Sequence, residues 1–320
     1  MLSVNKSVYM KVSAVMKRFI NDVKKFGGYT LFAAKSGMKA EVAGSFLSWM
    51  WWILDPLLYM IVYSFVAVVV FRSSEPYFPV FVFIGLNTWT FFSKTVKSGV
   101  RLVQEKKSVV TKVYIPKFIF ILEKESIFGI KMFVSCALTI VFMALYKVPV
   151  TWKALWVIPL WMLLFMITFA FTTIITHFGV FVEDLMNVLT VALQLGFYLS
   201  GIFYSLENRI LNKDNLDGAM NKIIDIIQRI IDTGYLDWLN IPLENIPLYL
   251  ENISLNKILG TVLIHGNPIA LIMTDMRNVI LYNTEPHYVS LLIWAVVAVV
   301  VSAIGIRTIY KHENTYVKII

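Results

Sequence analysis

Charge is scarce in this chain. Of 320 residues, 15% are charged and 58% hydrophobic, against roughly one quarter charged in a soluble domain, which excludes an ordinary water-soluble globule. Cysteine is almost absent: Cys136 alone, inside an apolar block, leaves no disulfide framework and no thiolate metal site, so packing is its expected role. Histidine is sparse too. His177, His265, His287 and His312 are scattered without H-E-x-x-H or another metal-ligand spacing. His177 with Glu183 and Asp184 is the one grouping of acid–base type, and it falls in a short turn where charged residues are ordinary. No G-x-x-x-x-G-K-[ST] phosphate loop occurs. The chain is therefore not expected to hydrolyse ATP itself, and work against a gradient would draw on a partner or an ion.

What the sequence has in abundance is long apolar blocks. Six, at roughly 46–71, 77–96, 126–146, 154–176, 185–205 and 288–307, are long enough for a hydrocarbon core that needs about 20 helical residues. The expected fold class is an all-α integral membrane protein with six transmembrane helices. Lys and Arg accumulate on the cytoplasmic flanks of spans. Lys6, Lys11, Lys17, Arg18, Lys24, Lys25, Lys35 and Lys39 precede the first block, and Lys97, Arg101, Lys106, Lys107, Lys112, Lys117 and Lys124 lie between the second and third. Lys311 and Lys318 follow the last. The short opposite loops carry little, Arg72 between the first two blocks and Lys147 and Lys153 between the third and fourth, so both termini are expected in the cytoplasm. The net charge of +9 then reads as topology and contact with membrane lipids, not as nucleic-acid binding. Residues 1–40 lack a central apolar run and a small-residue cleavage site, so the first span is the expected insertion signal.

Between Val15 and Phe32, apolar Val15, Phe19, Val23 and Phe26 recur at helical spacing with Lys17, Arg18, Lys24 and Lys25 mostly off that face. The pattern suits a helix lying in the inner interface, its apolar face in lipid; a frayed basic tail is the alternative. Two spans carry polar faces. Trp52, Asp55, Tyr59 and Tyr63 share one stripe of the first, and Asn187, Thr190, Gln194, Tyr198, Gly201 and Ser205 one stripe of the fifth. A carboxylate inside a bilayer is costly, so these stripes should face protein or water. They either glue helices together or line a polar route.

The two cytoplasmic turns differ in length. The longer holds a basic amphipathic stretch from Arg101 to Val113 and then Tyr114-Ile115-Pro116, where proline disfavours helix at the residue before it. In the shorter, Glu183 and Asp184 are placed to favour the positive end of the fifth helix or to dock a soluble motor. The segment from Ile258 to Asn283 is apolar but broken at Gly266-Asn267-Pro268 and again at Asp275 to Arg277. Ile258 to Ile264 covers only about 10 Å as a helix, and Pro268 fits the first turn of a second one. Two short helices dipping in from the outer face are expected, with Asn267 and Pro268 at the turn and Arg277 at the outward return, near headgroups or cargo. Non-spanning backbone at that depth is tolerated where protein or a wet cavity covers it.

Several stretches in this order carry a resemblance: E-x-x-x-S-F-L-x-x-x-W-x-x-L-D-P-L-L at Glu41 to Leu58, S-V-V-T-K-V-Y-I-P-K at Ser108 to Lys117, F-V-E-D-L at Phe181 to Leu185, and N-P-I-A-L-I-M-T-D-M-R at Asn267 to Arg277. Together they resemble the permease subunit of type-2 ABC exporters, in the branch exporting O-antigen, teichoic acid and related cell-wall polysaccharides. The resemblance covers residues 15–205 and 260–318. It implies a homodimer in the bacterial plasma membrane, a cytoplasmic ABC ATPase partner that binds ATP and Mg2+, and a lipid-linked glycan as cargo. The chain itself binds no cofactor and no metal on this reading, and it is a transport subunit, not an enzyme. The resemblance makes Ser108, Val109, Lys112 and Pro116 part of a first coupling helix (about 101–117), and Glu183 and Asp184 part of a second (about 178–187). It sets Trp52, Asp55, Tyr59, Tyr63, Gln194, Tyr198 and Gly201 along the translocation pathway and Asn267, Pro268 and Arg277 in an outer gate. Glu183 stands where the family usually has arginine, altering the docking contact. An insertion from Leu206 to about residue 257 is a further departure, with a helical apolar repeat between Asp214 and Ile231 expected outside the cell. The organisation is then a cytoplasmic segment 1–44, helices and turns over 45–205, the insertion 206–257, gate helices 258–286, a last span 287–308 and a tail 309–320. An exporter of small drugs or lipids shares this fold. A membrane glycosyl- or phosphotransferase would need clustered carboxylates or histidines at one face.

Overall fold

The computed structural model describes residues 12–44, 46–66, 69, 75–207, 225, 226, 229 and 261–319. Among these, every regular element is helical. In chain order they are α1 (Val12–Val42), α2 (Trp51–Phe65), α3 (Phe78–Gly99), two one-turn helices α4 (Leu102–Glu105) and α5 (Lys107–Val110), α6 (Phe118–Leu145), α7 (Val157–Phe181), α8 (Leu185–Leu199), α9 (Pro268–Arg277) and α10 (Tyr288–Ile319). Three stretches, Phe118–Leu145, Trp152–Phe181 and Tyr288–Tyr316, are long and apolar enough to cross a membrane, and α2 and α8 are shorter apolar helices. Most of the expected insertion, including its apolar repeat, and Lys6, Lys11 and Arg72 lie outside the described residues.

Helix α3 is the axis of the bundle. From Phe78 to Trp89 all but Pro79 are buried, and α2, α6, α7, α8 and α9 all pack on it. Its start is set by Pro79 in the first turn, after Tyr77 in a left-handed conformation with φ 51°; proline needs no amide partner there. Helix α7 brings a run of threonines inward. Thr168 and Thr172 return their hydroxyls to the carbonyls of Leu164 and Thr168, each at 2.7 Å, so a polar side chain enters a tight apolar contact with its hydrogen bond made locally. Small residues let the backbones close on this face: a Cβ on Gly179 would meet the Val100 carbonyl oxygen at 2.1 Å, and one on Gly305 the Thr173 hydroxyl at 2.2 Å. Such close approach is how apolar helices associate where hydrophobic burial alone cannot drive them.

Several expectations are corrected. α1 is one helix of 31 residues, and its apolar stripe packs on protein rather than facing lipid: the Phe19 ring lies 4.9 Å from Phe118 and 6.1 Å from Phe169. Helix α6 begins eight residues before the expected 126, because Lys117 and Glu123 are neutralised by neighbours instead of being left to water; Lys106 Nζ sits 2.6 Å from Glu123 Oε1. Helix α10 runs on past the expected 307 to Ile319. The first coupling stretch is two single turns, and the second is no separate helix: α7 ends at Phe181 and α8 begins at Leu185 across a three-residue turn. Leu206, the first residue of the expected insertion, is buried against Ile264, Ala270 and Leu271.

The close crossing at Gly179 gives a direct test. Gly179→Val should cost about 1–3 kcal/mol through overpacking, read as a lower midpoint of thermal unfolding for the detergent-purified chain. An unchanged midpoint would mean that α7 does not pass Val100 as closely as 2.1 Å implies.

Candidate functional site

A cavity of about 690 Å³ opens between α2, α3, α6 and α8. Helix α2 turns Trp52, Asp55, Tyr59 and Tyr63 into it, and α8 turns in Thr190, Gln194 and Tyr198. The two polar stripes expected from spacing therefore meet on one space. Gly201 does not join them, and Ser205 is not among the lining residues either. α8 ends at Leu199, and Gly201 takes φ +70°, a left-handed turn that glycine adopts without strain, so the helical register that extended the stripe no longer applies. Asn187 is exposed at the start of α8.

Aromatic rings make up the side of this space away from the basic turn. Tyr59 and Tyr63 stack at 6.0 Å with 16° between planes. Tyr63 also meets Phe197 at 5.9 Å, and Phe197 meets Trp89 at 6.1 Å edge-on. The opposite end holds charge. Lys131 Nζ donates to Glu41 Oε1 at 2.6 Å and lies 6.0 Å from the Trp52 ring. Between them Asn87 binds the Ser135 hydroxyl and donates to Thr139 at 3.3 Å, and the thiol of Cys136 lies 3.9 Å from the same amide, a packed and partly polar setting rather than a reactive one.

Sequence spacing missed the third wall. On α3, Thr90, Ser93, Lys94 and Lys97 line the cavity, with Thr90, Lys94 and Lys97 exposed while Phe91, Phe92, Thr95 and Val96 are buried. Steps of three and four put them on one face. The signal was present, but Lys97 read first as topology and Lys94 was passed over inside an apolar block.

The gate residues are arranged by hydrogen bonds. Residues 261–265 are helical, Gly266 and Asn267 turn the chain, and Pro268 occupies the first turn of α9. Asn267 Oδ1 accepts from the amides of Ile269 and Ala270 at 3.1 and 3.3 Å, satisfying donors that a helix start leaves free, while its Nδ2 donates to Ser200 Oγ at 2.9 Å. Arg277 is not at an outward return near headgroups. It is 3% exposed, and its Nε, Nη1 and Nη2 donate to the carbonyls of Phe81, Gly201 and Ile202 at 3.2, 2.8 and 2.8 Å. The guanidinium lies 3.5 Å from the Phe81 ring centroid, a cation–π contact in a dry site. Five fixed donors suit it to collecting carbonyls from separate segments.

On the basic side, Ser108 and Lys112 are exposed, Val109 half-buried and Pro116 buried. Behind this stretch, Arg18 Nη2 donates to Tyr114 Oη at 2.6 Å, Tyr114 donates to Glu313 at 3.0 Å, and Lys117 lies 3.6 Å from Glu313. One charged cluster thus joins α1, the turn and α10. Glu183 and Asp184 are both exposed, and Asp184 directly precedes α8 without a side-chain hydrogen bond to it, which leaves both carboxylates at the positive end of that helix. His177 binds Tyr316 Oη at 2.7 Å instead of either carboxylate, and the suggested acid–base grouping is not assembled. Among the described residues, no group of three or more His, Cys, Asp or Glu is arranged to hold a metal ion.

No protein-family model matches the chain. Curated relatives do. It is 28% identical over 192 residues to an O-antigen export system permease protein RfbA of Myxococcus xanthus, covering 60% of this chain and 74% of the relative. It is 24% identical over 171 residues to the protein of the same description from Klebsiella pneumoniae, covering 53% of this chain and 66% of that one. The chain is homologous to these O-antigen export permeases, and the resemblance read from the motifs holds.

Beyond α9, His287 reports on the closing turn. Its Nδ1 lies 2.6 Å from Asp275 Oδ1 and its Nε2 3.4 Å from Glu207 Oε1, with the His265 ring 5.1 Å away. The hydrogen bond to buried Asp275 raises the pKa of His287 above its ordinary 6.5, against the opposing pull of its own burial. A raised folded-state pKa stabilises fully below 6.5 and is lost as pH climbs through the folded value. The stability gap between wild type and His287→Gln should therefore be widest below 6.5 and narrow as pH rises above it, measured by thermal unfolding. A gap that is flat, or that widens with rising pH, would contradict the pairing.

Proposed function

We propose that this relative of O-antigen export permeases is the membrane subunit of an ATP-driven exporter that moves a lipid-linked glycan across the bacterial plasma membrane. The observation that carries the reading is the single cavity on which the stripes of α2 and α8 converge. Six spans follow from α2, α3, α6, the stretch Trp152–Phe181, α8 and α10, with 261–277 dipping in from the outer face and both termini in the cytoplasm. A helix of 15 residues such as α8 reaches only about 22 Å of a roughly 30 Å core. Arg277 supports the shortfall by taking the carbonyls of Gly201 and Ile202, just past its end, which at that depth have no water.

The working cycle is conformational. A partner ATPase, holding ATP and Mg2+, closes against 102–117 and the turn 182–184, where exposed Lys112, Glu183 and Asp184 offer docking charge. Movement passes through the Arg18–Tyr114–Glu313 cluster to α1 and α10. It widens the route beside α2 and α8, and ATP binding supplies the differential stabilisation of the two states. A second copy of the chain completes that route. Leu58, Ile61, Val62 and Phe65 on α2 and Val188, Val191 and Leu195 on α8 leave apolar surface exposed beside the cavity, the surface a homodimer would cover. Tyr59, Tyr63 and Tyr198 present apolar faces with polar tips suited to sugar rings. Asn267 and Pro268 hold the outer gate's turn, which Arg277 anchors.

Co-expressed with its cognate ABC ATPase, the chain should purify as a stable complex whose ATP hydrolysis rises when an undecaprenyl-linked glycan is added. Deleting it in cells should leave that glycan inside. Stable purification without any ATPase, together with sugar transfer by the isolated chain, would overturn the exporter in favour of a transferase.

A further inference from the structure

The α3 wall of the cavity has a chemistry that helix packing does not use. Thr90, Ser93, Lys94 and Lys97 line the space, yet among the described residues no side chain hydrogen-bonds or pairs with either ammonium group. Lys131, the third cation of the wall, differs in being engaged by Glu41. Asp55 is the remaining carboxylate of the wall, so its cations outnumber its anions. Lys94 lies five positions before the end of α3 at Gly99, about 7 Å into the helix, and is not a terminal residue trailing into water.

We propose that Lys94 and Lys97, on the polar face of α3, form an anion site that takes the phosphate or diphosphate linking the lipid to the rest of the cargo. The proposal rests on the export reading above and names the chemical group by which the cargo is first held. Ammonium groups at i and i+3 project side by side with Cβ atoms about 5–6 Å apart, a separation that adjacent phosphates on a diphosphate can bridge. Lysine binds phosphate as a compact charge with three donors on a flexible stem, and the hydroxyls of Thr90 and Ser93 supply neutral donors beside it. The rest of the space is divided to match an amphiphile with such a junction. Trp89, Phe128, Met132 and Phe197 give apolar wall, and the stacked pair Tyr59 and Tyr63 lines the same space. Lys131 is held in place by Glu41, so the site keeps two ammonium groups free for an anion without a competing carboxylate in contact.

The test uses the full-length chain with its ATPase in nanodiscs of zwitterionic lipid, and undecaprenyl diphosphate, undecaprenyl phosphate and undecaprenol as probes. Wild type should hold undecaprenyl diphosphate about tenfold or more tightly than undecaprenol, the loss expected when charge-assisted hydrogen bonds go. Lys94→Gln/Lys97→Gln should erase that preference while leaving undecaprenol binding unchanged, and Lys94→Arg/Lys97→Arg should restore it. Equal binding of the diphosphate and the alcohol by wild type would overturn the site. So would displacement of the probe by phosphatidylglycerol at equal mole fraction, which would make the lysines ordinary headgroup contacts. Cellular export is read separately. If the glutamine variant exports at the wild-type rate, the anion site fails and the exporter stands; if deleting the chain leaves surface glycan intact, the exporter itself fails.

Discussion

One buried cation holds the architecture together. Arg277 takes carbonyl oxygens from the first turn of α3 and from left-handed Gly201 and the next residue, Ile202, just past α8, so three segments distant in sequence share one guanidinium. An unpaired charge at this depth would be severely destabilising; here each nitrogen of the fork finds an acceptor and the Phe81 ring covers one face. Room for it depends on Gly85, where a Cβ would come within 2.5 Å of the guanidinium. This contact fixes the seat of α9 against α3 and the chain just past α8. It also turns a helix too short to cross a bilayer into one whose end is covered by protein.

Toward the basic side, the same logic of shared charge recurs in a looser form. Arg18, Tyr114, Lys117 and Glu313 tie the long N-terminal helix, the basic turn before α6 and the last helix into one cluster. The turn that follows α4 and α5 is thereby tied to α1, whose last turn brings Glu41 and Val42 to the cavity. The cavity is lined by lysine as well as by stacked tyrosine.

Much of this was legible in the sequence where local chemistry decides. The spacing of Trp52, Asp55, Tyr59 and Tyr63 put them on one face of α2, and Asn267-Pro268 marked a helix start because the capping oxygen and the missing amide act within one turn. What failed depended on distant partners. Arg277 looked like a surface residue because nothing near it in sequence reveals the carbonyls of Gly201 and Ile202. The stripe on α8 was carried past its end because a single left-handed glycine stops the register. α1 was assigned to lipid because an apolar stripe reads the same whether bilayer or Phe118 and Phe169 cover it. Lys97 was absorbed into a topology count and Lys94 lay unremarked inside an apolar block, and only the packing of α3 shows that they face a cavity.

The central claim, that α2 and α8 line a watery route, can be measured directly because Cys136 is the only cysteine. In a Cys136→Ser background assembled with the ATPase, single substitutions Asp55→Cys, Tyr59→Cys, Gln194→Cys and Tyr198→Cys should react with a membrane-impermeant maleimide. Ile61→Cys and Val191→Cys, on the apolar faces, should stay protected. Protection of the first set together with labelling of the second would contradict the account.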